Sequence, residues 1–181
     1  MRLFTAIDLP EPIRERLADA LDQLRPLASL RWTRAVKLHI TTKFIGEWES
    51  HRLGEIEEVL GGLRQGTSIP IEIKGLGWFP NPHSPRLLWA AVHAPDLPEA
   101  ARRTEAALAR VGVALERRNY HPHLTLARIP PPPPDLAVLR RAIALLPSTE
   151  FGSFEAAGFS LYVSELGPDG GRYTRLRSFP L

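Results

Sequence analysis

At 181 residues, with 44% apolar and 24% charged content, the chain has the composition of one globular domain or of two small lobes sharing a core. It has no apolar run of about 18 residues, the length a membrane-spanning helix needs, and its start, Met1 to Asp8, turns acidic too early for a secretory signal. It has no cysteine, which excludes disulfides, thiolate metal sites and a cysteine nucleophile, and the cytoplasm is the expected location.

Arg2 to Asp8 reads as a strand. Pro10 to Leu27 reads as an amphipathic helix, with Ile13, Leu17, Leu21 and Leu24 at helical spacing and Pro12 in the first turn. Arg31 to Arg34 is a short strand or a loop crossing. Lys37 to Gly46 reads as a strand, and His51 to Leu63 as a helix stopped by Gly61-Gly62. Ser68 to Trp78 alternates as a strand, followed by the turn-rich Phe79 to Pro85. Arg86 to Ala94 is a mostly buried strand. A third helix runs from Pro98 to about Gly112, and Val113 to Glu116 is a candidate short strand. His121 to Ile129 is a strand that ends in the proline run Pro130 to Pro134, a stiff connector. Asp135 caps a fourth helix. Gly152 to Glu165 reads as one long strand, Gly167 to Gly171 as a hairpin turn and Arg172 to Phe179 as the returning strand. The strands read as antiparallel or mixed, so the fold class is α+β.

The chain repeats itself. Leu38-His-Ile-Thr-Thr-Lys-Phe44 and His121-Pro-His-Leu-Thr-Leu-Ala-Arg128 both contain His-x-Thr, at His39/Thr41 and His123/Thr125, 84 residues apart. Six His and nine Thr would give roughly 0.3 such matches by chance. Arg2-Leu-Phe-Thr-Ala6 returns as Arg86-Leu-Leu-Trp-Ala90 at the same offset, and the helical patterns recur between the halves. The expectation is a single bilobal domain built from an internal repeat, about 1–84 and 85–181. Its two pseudo-symmetric lobes would carry outer helices and enclose a cleft.

Residues two apart on a strand share a face, so each motif sets an imidazole beside a hydroxyl. Two such strands facing one cleft supply an acid and base pair that titrates near neutrality. The two hydroxyls can donate hydrogen bonds to a phosphoryl group held between the imidazoles. Lys43 shares the parity of Thr41 and is a candidate for phosphate attraction. Arg128 lies three residues past Thr125, so strict alternation turns it away unless the strand bulges, twists or ends. By the same parity Thr42 points away from the cleft. No acidic cluster accompanies the histidines, so neither a magnesium site nor a resident metal or other cofactor is expected. Trp32, Trp78, Trp89, Phe44 and Tyr120 are candidates for base stacking or for the core. The net charge of +3 and pI of about 9.7 suit a polyanionic partner, and base-composition bias explains the arginine excess equally well.

With their flanks, these motifs resemble the two-histidine phosphoesterase superfamily, in its RNA 2′,3′-cyclic phosphodiesterase branch, also called 2′-5′ RNA ligase. Arg2 to Ile7, Phe79-Pro80, Pro85 to Trp89 and Leu161-Tyr-Val-Ser164 carry the likeness beyond the motifs. The resemblance implies metal-independent hydrolysis of a terminal 2′,3′-cyclic phosphate to a 2′-phosphate, with weak reverse 2′-5′ ligation. It implies His39 as general acid and His123 as general base. Thr41, Thr125 and Arg128 would hold the phosphate. The implied partners are RNA ends, tRNA fragments among them, or nucleotides. No membrane and no obligate protein partner are expected, and the chain reads as a monomer. A nucleotide- or RNA-binding module of the same fold, without turnover, is the alternative reading. The family usually has an apolar residue where this chain has Thr42.

Overall fold

Strand β1 (Arg2–Asp8) buries five successive residues because both of its faces are covered. Leu3 and Ile7 enter the main core, while Phe4 and Ala6 join Tyr162 on the opposite face. The structure, a computed structural model, describes residues 1–63, 66, 68–165 and 171–181. Helix α1 (Glu11–Leu24) buries Ile13, Leu17, Leu21 and Leu24 along one stripe and ends in a 3-10 turn, Arg25–Leu27. Then follow β2 (Arg31–Trp32), β3 (His39–Glu47), α2 (Leu53–Gly61), β4 (Ile69–Phe79), β5 (Leu87–His93), α3 (Leu97–Ala109) and β6 (His123–Arg128). The last elements are α4 (Ala137–Ala144), β7 (Glu150–Ala156), β8 (Gly158–Glu165) and β9 (Arg172–Pro180). The carboxylate of Asp135 accepts the Ala137 N–H at 2.9 Å, which anchors the start of α4.

Two antiparallel sheets result among the described residues. One has the order β3-β1-β8-β9 and the other β2-β6-β5-β4-β7. Helices α2 and α3 pack on the first lobe, against β9 and β3, while α1 and α4 pack together on the second, with α1 against β7. The expected α+β class and bilobal plan match this arrangement. The halves of the sequence are not the lobes, however. The first sheet takes β1 and β3 from the first half and β8 and β9 from the second. Helix α1 leaves a strand of one sheet and packs on the other, and α3 does the same in reverse.

Three local expectations need comment. The long strand foreseen from Gly152 to Glu165 is two strands, one in each sheet, separated by Ala157. Gly158 permits this crossing: a Cβ there would lie 2.6 Å from the Phe179 carbonyl oxygen. Residues 113–116 form no strand. Of the foreseen hairpin turn, residues 167–170 lie outside the described residues.

The consequential feature is a bulge in each motif strand. Against β1, Ala6 pairs with Thr41 but Thr5 pairs with Lys43, so Thr42 is the extra residue. Against β5, Trp89 pairs with Thr125 but Leu88 pairs with Ala127, so Leu126 is the extra residue. A bulge shifts the parity of every residue beyond it. The burial pattern from His39 to Phe44 accordingly matches that from His123 to Arg128, position by position.

One expectation changes as a result, and another holds. Lys43 does not share the cleft face with Thr41. It is 4% exposed, and its ammonium donates to Glu105 Oε1 at 2.7 Å and to the Ala114 carbonyl at 2.9 Å. Its role is to tie β3 to α3 and to the segment after it. Thr42 does face away from the cleft, and its hydroxyl is satisfied at 2.7 Å by that of Thr5. The pairing explains how a polar residue occupies a buried site.

Removing the Lys43 ammonium takes away a charge-assisted hydrogen bond to Glu105, whose side chain is 23% exposed. We therefore expect Lys43→Ala to lower unfolding stability by about 1–3 kcal/mol. Adding Glu105→Ala should recover part of that loss in a denaturant double-mutant cycle.

Candidate active site

His39 begins β3 and faces Asp8 across the β1 pairing. Its ring stacks on Phe4, with centroids 4.9 Å apart, and meets Tyr173 edge-on at 5.2 Å. Phe4 in turn stacks on Tyr162 at 5.3 Å. This aromatic box half-buries the imidazole. Burial holds the His39 pKa below its ordinary value of 6.5, opposed by its backbone hydrogen bond and by the negative charge of Asp8.

His39 Nδ1 lies 2.8 Å from the Lys37 carbonyl oxygen, and His123 Nδ1 lies 2.8 Å from the His121 carbonyl oxygen. A carbonyl only accepts, so Nδ1 carries the hydrogen in both rings. The neutral rings then present Nε2 as a lone pair, and the protonated rings present it as a donor. Each histidine uses the carbonyl two residues before it, so the second motif reproduces the first down to the tautomer. His123 meets Trp89 edge-on at 6.2 Å, a more open setting than the box around His39.

The two motifs meet across the lobes. Cα atoms of β3 and β6 approach within 8 Å. Tyr120, just ahead of the second motif, donates its hydroxyl to the Thr41 carbonyl at 2.8 Å. That bond fixes the entry to one motif strand on the backbone of the other. Thr41 and Thr125 are half-buried and share faces with their histidines. Beyond the bulges, Phe44 and Arg128 return to those same faces, and both are exposed. The sequence left the direction of Arg128 open between strict alternation and a bulge, and the bulge at Leu126 turns it to the cleft side.

Beneath His39 lies a polar network that sequence reasoning missed. Tyr162 donates its hydroxyl to Asp8 Oδ1. Arg175 donates from Nε to the Tyr162 oxygen at 3.1 Å and pairs with Asp8 Oδ2 at 3.1 Å. Ser160 donates to Asp8 Oδ2 at 3.3 Å. Burial, then the bond to Asp8, push the Tyr162 phenol up, so it stays a donor. The one available signal was parity: Phe4, Ala6 and Asp8 alternate on β1. The partners Tyr162 and Arg175 come from β8 and β9, at the far end of the chain, which no local pattern reveals. Among the described residues, no group of three or more His, Asp or Glu gathers to hold a metal.

The remaining histidines stand apart from this site. His51 lies in a 3-10 turn, His83 in the loop before β5, and His93 ends β5 with its Nε2 3.0 Å from the Lys74 carbonyl oxygen. His121 is exposed and serves through its backbone carbonyl. Trp32 and Trp78 pack into the second lobe's core, as Tyr120 does into the main core.

Known proteins share this arrangement. The model of the LigT-like phosphoesterase family matches residues 7–89 and again residues 91–173. An RNA 2′,3′-cyclic phosphodiesterase from Methanocaldococcus jannaschii is 33% identical over 99% of this chain and 100% of its own length. A protein of the same name from Thermus thermophilus is 33% identical over 100% of this chain and 90% of its own. A crystal structure of a Thermus thermophilus protein superposes with a TM-score of 0.85 at 30% identity, covering 100% of this chain and 98% of that one. Escherichia coli LigT in complex with 3′-AMP superposes with a TM-score of 0.81 at 30% identity, covering 99% and 97%. The chain belongs to the LigT-like phosphoesterase family.

Proposed function

We propose that this protein hydrolyses the 2′,3′-cyclic phosphate at an RNA 3′ end to a 2′-phosphate and a free 3′-hydroxyl. The observation that carries this reading is the matched pair of imidazoles. Each is fixed through Nδ1, each leaves Nε2 available, and they sit on neighbouring strands of opposite lobes. The curated relatives named as RNA 2′,3′-cyclic phosphodiesterases support it, as does a nucleotide monophosphate bound to Escherichia coli LigT.

In this reading His123 Nε2 takes a proton from water as its oxygen bonds to phosphorus. The bond from phosphorus to the 3′ oxygen breaks, and His39 Nε2 gives that oxygen its proton. The hydroxyls of Thr41 and Thr125 donate to the non-bridging oxygens, and Arg128 supplies positive charge from the same face. Positioning and charge stabilisation supply most of the rate in phosphoryl transfer, so this donor set suffices. A 5′-hydroxyl in place of water would form a 2′–5′ phosphodiester by the same proton movements. Phe44, 55% exposed beyond Thr41, offers a face on which the terminal base stacks.

The decisive experiment uses an oligonucleotide ending in a 2′,3′-cyclic phosphate, with a chelator present. The expected product is the 2′-phosphate. A 3′-phosphate would reassign the leaving group, and tight binding without product would favour the binding-module reading. His39→Ala and His123→Ala should each lower kcat by about 10²–10⁴-fold. Retained turnover in both variants would sink the assignment.

Burial lowers the His39 pKa, so the free protein holds this ring mostly neutral at pH 7. A phosphate anion beside it favours the imidazolium and raises the pKa. An NMR titration should therefore place His39 below its ordinary value of 6.5 in the free protein and move it upward when a 2′-nucleotide binds. Phe44→Ala should cost about 1–3 kcal/mol of substrate binding, seen mainly in KM.

A further inference from the structure

Strand β2 is only two residues long, yet its surroundings fix it firmly. Trp32 Nε1 donates to the Ala28 carbonyl at 3.1 Å. The Thr33 N–H donates to the Leu126 carbonyl at 2.8 Å. Arg25 donates to the Thr33 carbonyl at 3.0 Å. Trp32 also packs into the second lobe's core. The anchoring belongs to these groups, and the side chain of Arg31 is left to the surface.

The register puts Arg31 directly opposite Arg128. Residues directly opposite in an antiparallel pair share a face, with Cβ atoms about 4.5–5.5 Å apart. Arg31 therefore stands beside Arg128 on the face that carries His123 and Thr125. Both arginines are exposed. Among the described residues, neither is paired with a carboxylate. Like charges directly opposite destabilise a sheet. An anion lying between the two guanidinium groups reverses that effect, since each can offer it a forked pair of N–H donors.

The position narrows the choice of anion. Arg128 lies three residues beyond Thr125, about 7–10 Å along the strand at ordinary rise. Strand β2 pairs with the outer edge of β6, so Arg31 is one strand removed from His123 and Thr125. Arg31 is thus offset from the place where the two motifs would hold a phosphate, on the same face and next to Arg128.

We propose that Arg31, together with Arg128, forms a second phosphate subsite that takes the internucleotide phosphate just upstream of the terminal cyclic phosphate. The proposal rests on the cyclic phosphodiesterase reading above and makes oligonucleotides better substrates than mononucleotides. Arg128 stands between the two phosphates, and Arg31 serves only the upstream one. A mononucleotide lacks that phosphate, which gives the two substrate lengths different sensitivity to Arg31.

The test compares a 2′,3′-cyclic mononucleotide with a trinucleotide carrying the same cyclic terminus. In Arg31→Gln, the ratio of kcat/KM for trinucleotide over mononucleotide should fall about tenfold. Arg31→Lys should restore part of the ratio, because the charge remains and the fork does not. For the trinucleotide, the slope of log kcat/KM against log salt should become shallower by about 0.7, the value for one single-strand phosphate contact. Equal losses on both substrates would assign Arg31 to the terminal phosphate or to folding, and would overturn the subsite. An unchanged ratio would overturn it too. If the unaltered protein turns over neither substrate, the proposed activity fails separately. Trinucleotide affinity, compared between the unaltered protein and Arg31→Gln, then decides the subsite, and equal affinities overturn it.

Discussion

The site depends on a single geometric constraint applied twice, the extra residue that follows each motif threonine. Without it, strict alternation would send Lys43 into the cleft and turn Phe44 and Arg128 towards the core. With it, one strand offers imidazole, hydroxyl and aromatic ring, and the other offers imidazole, hydroxyl and guanidinium. The matching burial patterns mean that both lobes solve the same steric problem in the same way. They diverge first in which side chain emerges after the bulge. A symmetric frame thus acquires an asymmetric cleft, with an exposed aromatic ring on one wall and an exposed guanidinium on the other.

A second asymmetry lies behind the histidines. Both rings have the same tautomer, imposed by the same backbone bond, so the tautomer does not distinguish their roles. Their surroundings do. His39 sits in an aromatic box over a carboxylate held by Tyr162, Arg175 and Ser160. Desolvation disfavours its charge while Asp8 favours it, and the first effect is the larger in the free protein. An arriving phosphate changes that balance. In the proposed mechanism the ring gains its proton once an anion is present, which is the condition a general acid for phosphate esters needs.

Much of this was legible in the residues. Period-two alternation placed β1 without error, and the 3.6-residue stripes located α1 and α3 to within a few positions. The repeated His-x-Thr marked the cleft because spacing of two survives any twist of the strand. Parity failed where the ladder slipped, at Lys43, since a bulge leaves no mark in a stretch such as Thr41-Thr42-Lys43. It failed again at Ala157, where one alternating run divides between two sheets. The network of Asp8, Tyr162 and Arg175 was out of reach for a different reason. Its members converge only after β1 pairs with β8 and β8 with β9.

That pairing has a consequence for how the molecule comes into being. The first strand cannot be completed by anything near it in sequence, because one of its edges waits for β8. The two lobes also exchange helices, so neither half of the sequence owns a closed core. Long-range pairing of this kind slows folding, since a large loop must close before the contacts repay it. During synthesis the first His-x-Thr strand emerges early but has no finished floor until residues 158–180 have followed. Its exposed edge and apolar faces must meanwhile be kept from other chains. The chemistry therefore becomes available in one step, when the late-made hairpin closes the sheet that the first strand opened.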